Sequence, residues 1–324
     1  MQDNLLYYGK LPSFGDFVRY NAYGREIKLF DQWLQEGLYL SKKNLSPNEH
    51  KSFKHSPVYY FFLSFKESGN HLTGIMKPSL DKVGRKYPFI VAMVINESGF
   101  PQDTLKFLPI QFRNFYHRIY SLIKELVSVT TLDELRRQAI ELETPFSMDE
   151  VAYQKYHSLV NTTSTMAYFK SLWDNDTEDR KYTFLHNIVR MGKYLREVDP
   201  GIIDFGYRFP LQSESYDAFI VGSYWLQLFS RFISGRTVHP FIFWDAKNMF
   251  LFFRQPAPVV YSFMMKPDLI SDVIYRMDSD GGQEVIDHRH SPQVLNILNT
   301  NNITLEQFLE TVEKYIDESS DISN

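Results

Sequence analysis

The chain has 324 residues, with 35 Lys+Arg against 39 Asp+Glu, a formal net charge of −4 and no cysteine. Without cysteine there are no disulfides, no thiolate catalysis and no cysteine-ligated zinc. The slightly acidic balance argues against a general nucleic-acid binder, which needs a basic footprint over a whole domain. The longest apolar runs, 58–63 and 89–95, are far shorter than the about 20 residues of a membrane helix. The first ten residues lack the basic and apolar regions of a secretory signal. A soluble cytoplasmic protein with no membrane insertion is expected. The 27 Phe and 21 Tyr are read as an aromatic-packed, strand-rich core.

In chain order, Leu5 to Tyr8 reads as a short strand, and Gly9 to Asp16 as a loop carrying it into a helix. Residues 26–40 place Ile27, Phe30, Trp33, Leu34 and Leu38 at the 3.6 period of an amphipathic helix, with Trp33 in the core. Strands are predicted over Val58–Phe65, His71–Met76 and Phe89–Ile95, the first two joined as a hairpin at Glu67-Ser-Gly-Asn70. Thr104–Val127 reads as one long helix with Pro109 in its first turn. Thr131-Leu-Asp-Glu134 and Ser147-Met-Asp-Glu150 fit the capping box and start helices over 132–142 and 148–160.

The stretch Asn161–Thr165 is polar and β-branched and Asp174–Lys181 reads as a charged linker, so a boundary is expected within 145–175. The expectation is α+β: an N-terminal domain, 1–145, with an antiparallel or mixed sheet flanked by helices, and a C-terminal α+β region, 146–324. In the second region a helix over Asp217–Ile233 precedes a hairpin, Pro240–Trp244 and Met249–Phe253, turning at Asp245–Asn248. Trp225-Leu-Gln227 in that helix echoes Trp33-Leu-Gln35, which suggests a helix-then-hairpin duplication. Thr304-Leu-Glu-Gln307 caps a final amphipathic helix.

Motifs for chemistry are absent: no Gly-x-Ser-x-Gly elbow, no phosphate-binding glycine loop and no His-Glu-x-x-His. Asp287-His-Arg-His290 offers imidazole and carboxylate but no third ligand at a familiar spacing, and reads as a solvated loop. Asp278-Ser-Asp-Gly-Gly282 fails as an EF-hand, because position twelve is Arg289, and reads as a turn. A non-enzyme without metal or cofactor is therefore expected.

The stretch with most local character is Lys77–Lys86. Pro78, Gly84 and Pro88 prevent helix or central strand there, and Lys77, Lys82, Arg85 and Lys86 stand against a single acid, Asp81. Two readings stay open. The loop is a rigid cationic patch for a carboxylate- or phosphate-bearing partner, with Arg85 as a bidentate fork. Alternatively, Asp81 and Arg85 form an internal ion pair that fixes the loop. Asp16 likewise reads as a helix N-cap or as a contact residue.

Three segments, Gly9-Lys-Leu-Pro-Ser-Phe-Gly-Asp-Phe-Val18, Phe30-Asp-Gln-Trp-Leu-Gln-Glu-Gly-Leu38 and Gly74–Phe89 with its Pro-Ser-x-Asp-x-Val-Gly-Arg core, occur in order within the first 96 residues. Together they resemble the TagF family of type VI secretion accessory proteins. The resemblance extends more weakly to Phe243-Trp244 and Arg254–Pro258. It implies a cytoplasmic, non-enzymatic protein that represses type VI secretion assembly after translation by binding the forkhead-associated (Fha) scaffold of the same system. Lys77, Ser79, Asp81, Lys82, Arg85, Ser13 and Asp16 are the partner-binding residues expected from this resemblance and the local charge. The alternatives are a metal-dependent phosphoester hydrolase using Asp16, Asp81, Asp278 or Asp280, and a structural component of the apparatus.

Overall fold

A computed structural model describes residues 4–44, 53, 56–96, 102–126, 129–141, 149–173, 177–213, 215–233, 235–267, 269, 271–279 and 303–321. The strands are β1 (Asn4–Gly9), β2 (Val18–Tyr20), β3 (Tyr59–Phe65), β4 (Asn70–Lys77), β5 (Phe89–Asn96), β6 (Gly206–Pro210), β7 (Phe241–Trp244), β8 (Asn248–Phe252) and β9 (Ile274–Arg276). They form one sheet in the order β2-β1-β5-β4-β3-β7-β8-β6-β9. All pairs are antiparallel except β6 with β9, so the fold is α+β on a mixed sheet. The sheet runs through the boundary expected from sequence: β3 pairs with β7, with Tyr60 opposite Trp244 and Phe61 opposite Phe243.

Side chains alternate across each strand, and both faces of the central strands are buried. On one face Phe61 of β3 and Phe243 of β7 meet α1 (Arg25–Asn44). Trp33 stacks on Phe243, with ring centroids 5.5 Å apart, and its indole N–H donates to the Pro256 carbonyl at 2.8 Å. The other face buries Phe62, Ile242 and Trp244. The helices on this side are α2 (Leu108–Gln111), α3 (Arg113–Leu126), α4 (Leu132–Glu141), α5 (Glu150–Thr162), α6 (Thr165–Trp173), α7 (Thr177–Glu197), α8 (Ala218–Phe232) and α10 (Leu305–Asp321). The short α9 (Val260–Met265) joins α1. Trp33 and Trp225 therefore serve opposite faces of the sheet, Trp225 donating to the Pro210 carbonyl at 2.8 Å.

Several elements differ from the sequence reading. The stretch expected as one helix from Thr104 is a 3-10 turn (Gln102–Phe107), the short α2 with Pro109 at its start, and then α3. Proline has no N–H and clashes with the preceding turn, so an α-helix cannot run through it unbroken. Helix α5 starts at Glu150, with Asp149 as N-cap accepting from the Ala152 N–H at 3.0 Å; Ser147 lies outside the described residues. Residues 177–181, expected as linker, are the first turns of α7. At Thr304 the capping box is complete: Thr304 N donates to Gln307 Oε1 at 3.0 Å and Gln307 N to Thr304 Oγ1 at 3.3 Å.

One cluster connects α3 to two later helices. Arg113 reaches Asp149 at 2.7 Å and Asp217 at 2.8 Å. These two carboxylates are the N-caps of α5 and α8, so the guanidinium neutralises the acids that complete both helix starts.

Candidate functional site

The β4–β5 connection folds back on itself. Tyr87 N donates to Ser79 O at 3.1 Å, Asp81 N to Arg85 O at 3.1 Å and Gly84 N to Asp81 O at 2.9 Å, and Leu80 bridges Lys86. Gly84 holds φ +86° at the tip, a conformation open to glycine and strained for most other residues.

Inside this turn lies the Asp81 carboxylate, with no solvent exposure. One oxygen accepts the backbone N–H of Val83 at 3.1 Å and of Arg85 at 2.8 Å. The other accepts Lys10 Nζ at 2.9 Å and Arg85 Nε at 2.6 Å. Burial alone would raise the Asp81 pKa, but the Lys10 ammonium and the Arg85 amide and guanidinium outweigh it and hold the carboxyl well below its ordinary range. Asp81 is thus saturated from within and presents nothing outward.

The same residues stitch the β4–β5 turn to the arm between β1 and β2. Lys82 N donates to Phe14 O at 2.8 Å, and Arg85 Nη2 donates to the Gly15 carbonyl. Gly9, at φ +135°, lies so close to Pro88 that a Cβ would stand 2.2 Å from the Pro88 oxygen. Beneath the arm, Phe17 stacks on Tyr8 at 5.2 Å and meets Tyr87 edge-on at 4.8 Å. The Tyr87 hydroxyl donates to Asp31 of α1, and burial and this carboxylate together push its pKa up. The turn, the arm and the tryptophan helix are one connected unit.

What faces out is cationic. The Arg85 side chain is 56% exposed. Of its five N–H donors, Nε and one on Nη2 serve Asp81 and Gly15, which leaves the Nη1–Nη2 edge for an oxyanion. Lys82 is exposed beside it, as is Val83. Of the two sequence readings, the structure shows the internal one: the Asp81–Arg85 ion pair is present, and it fixes an exposed cationic tip.

The other expected residues take different places. Asp16 is exposed, and its Oδ1 accepts the Phe17 N–H at 2.8 Å. It does not cap a helix, because the arm leads into β2 and α1 begins only at Arg25. Ser13 is half-buried in the arm, and Ser79 is buried in the turn. Lys77 sits at the base of the turn, its pKa lowered by burial and by the like charge of Lys124 on α3. Lys10, Tyr87 and Asp31 did not stand out in sequence. Lys10 could have been found from its place in the Gly9–Val18 motif, given that this motif accompanies the one containing Asp81.

Asp278 stands by Arg208 at 3.5 Å and Arg276 at 3.6 Å, just past β9. Asp81 follows β4, five strands away in the sheet, which at about 4.8 Å per strand is on the order of 24 Å. One ion cannot bind both. Asp280 and Asp287–His290 lie outside the described residues. Among the described residues, no three His, Cys, Asp or Glu side chains are grouped to hold a metal, and no helix is long and apolar enough to cross a membrane.

The fold and the turn together define an α+β protein in which the β1–β2 arm and the β4–β5 turn are locked into one surface feature. Residues 7–141 match the family of the TagF N-terminal domain, described as type VI secretion system-associated. The match spans 135 of the 324 residues, and over it the chain carries a TagF N-terminal domain, a domain associated with type VI secretion. Among solved structures, PA0076 from Pseudomonas aeruginosa PAO1 is similar at 14% identity and a TM-score of 0.45, over 82% of this chain and 96% of that one. No curated protein matches the sequence.

Proposed function

We propose that this protein is a non-enzymatic, cytoplasmic accessory of type VI secretion that represses assembly after translation by binding the forkhead-associated scaffold. Lys82 and Arg85, with Ser13 and Asp16 of the neighbouring arm, are the contact residues. Asp81, Ser79 and Lys77 hold the turn from below. The observation that carries this reading is the saturated, buried Asp81 carboxylate beneath an exposed guanidinium edge. A tip fixed in this way loses little conformational freedom on binding, which favours affinity. Repression then follows by occupancy: the protein binds a scaffold state whose surface a productive partner needs, and shifts the population toward it.

The regulatory claim is tested by raising the level of this protein in its host and measuring secretion alongside the abundance of the apparatus components. Secretion is expected to fall at unchanged abundance. Unchanged secretion, or a fall matched by loss of the components, contradicts repression after translation.

A further inference from the structure

Two hairpin turns leave the same end of the sheet. The β4–β5 turn starts after Lys77, opposite Phe89, and the β7–β8 turn starts after Trp244, opposite Tyr60 of β3. Tyr59 in turn pairs with Met76 of β4. With only β3 between β4 and β7, the turns stand three strand spacings apart, about 14 Å at about 4.8 Å each. Both are built alike. In each, a buried aspartate accepts two backbone N–H groups that follow it. Asp81 takes those of Val83 and Arg85, and Asp245 takes those of Lys247 at 2.7 Å and Asn248 at 2.6 Å. The cations of both turns are exposed: Lys82 and Arg85 on the first, Lys247 on the second. These strands bring residues 10–17, 56–58, 77–88 and 245–248 to this end of the sheet, and the acids among them are Asp16, Asp81 and Asp245. Of the three, Asp16 is exposed and the other two are buried.

We propose that the contact surface runs along this end of the sheet, from the Lys82–Arg85 tip to Lys247, and takes an extended acidic segment of a partner protein laid across the strand ends. Six extended residues reach about 20 Å, enough to set carboxylates against both turns. Charge of opposite sign then supplies orientation and a faster encounter. A second copy of this chain is a poor occupant, because it would bring like charges together. Nucleic acid is disfavoured too, since its phosphates call for many cations and the chain as a whole carries −4. The proposal rests on the reading of the tip as a contact surface. It adds the chemistry of the partner and a contact residue in the second half of the chain.

The test titrates the full chain with acetylated hexaglutamate and follows backbone amide chemical shifts, with hexalysine and hexathymidylate as controls. Hexaglutamate is expected to shift the amides of 82–86 and 246–248 with one common affinity, at least about tenfold tighter than either control, a difference of about 1.4 kcal/mol. That affinity should fall with added salt. Lys247→Glu should lower it several fold with the fold intact by circular dichroism. Lys247→Gln, which adds no acid beside Asp245, should lower it in the same direction. Lys28→Glu, at an exposed position of α1, should leave it unchanged. Absence of binding, a control that binds as tightly, shifts confined to one turn, or full affinity in both Lys247 variants would overturn the proposal. Repeating the titration with the purified scaffold separates the two readings. Scaffold binding weakened by Lys82→Ala with Arg85→Ala, but not by Lys247→Glu, removes the extension and leaves the tip. Hexaglutamate bound at both turns without any scaffold binding upholds the surface and removes the partner's identity alone.

Discussion

Lys10 and Asp81 form a buried ion pair, 2.9 Å apart in space and 71 residues apart in the chain. The pair fastens the first loop of the sheet to the turn between β4 and β5, and Arg85 is held on its outer side. The surface shape of the tip therefore depends on a contact that lies below the surface.

Replacing Asp81 by Ala leaves the Lys10 ammonium without its carboxylate and frees the Val83 and Arg85 amides. Removing one partner of a buried pair is far more harmful than removing both. Asp81→Ala is expected to lower unfolding stability by about 3 kcal/mol, measured by urea denaturation. Lys10→Met combined with Asp81→Ala should recover part of that loss.

The pair also sets a pH dependence. The folded Asp81 pKa lies below its unfolded value, so its stabilisation is fully present above the unfolded value of about 3.9 and is lost as pH falls toward the folded one. Asp245 has the opposite sign, since burial raises its pKa against the Lys247 and Asn248 amides that lower it. Its contribution is present below about 3.9 and lost as pH rises through the folded value. Asp81→Asn should flatten the acid limb of a stability–pH curve below about pH 4, whereas Asp245→Asn should remove a loss of stability that sets in as pH rises above about 4.

Two glycines of the first motif separate geometry from composition. Gly9 has φ +135° and no room for a Cβ beside Pro88, whereas a Cβ on Gly15 meets nothing within 4 Å. Gly9→Ala is expected to destabilise by about 2 kcal/mol or more, and Gly15→Ala to stay within about 0.5 kcal/mol of the native protein. Thermal unfolding of the two variants checks this.

Arg113 gives a prediction remote from the tip. Arg113→Met should weaken the protein by about 2 kcal/mol, because two capping carboxylates lose a shared, half-buried cation. A double-mutant cycle with Asp217→Asn should show a coupling of at least about 0.5 kcal/mol.

Much of the fold was legible because the pattern was dense. Long apolar strands such as β3 and β5, the Trp33 helix, and the cap at Thr304 all announce themselves within a dozen residues. Strands β2 and β9 did not, since three residues give too few alternations to register a period. Strand β6 runs between Gly206 and Pro210, two residues that depress strand propensity, and is specified by its pairing with β8. At the site, the cationic loop and its Asp81–Arg85 pair could be read from four-residue spacing. Lys10 and the Arg85 contact to Gly15 could not, because they depend on β1 and β5 lying side by side. The Arg113 cluster, which joins positions up to 104 residues apart, escaped for the same reason.

The most direct test is a titration of the purified protein against the forkhead-associated scaffold of its own system, using wild type and the Lys82→Ala, Arg85→Ala double variant. Circular dichroism should confirm that the variant folds. If the tip is the regulatory contact, wild type binds and the variant binds at least about tenfold more weakly, a loss of about 1.4 kcal/mol. Equal binding by the two proteins, or no binding by wild type, would contradict it.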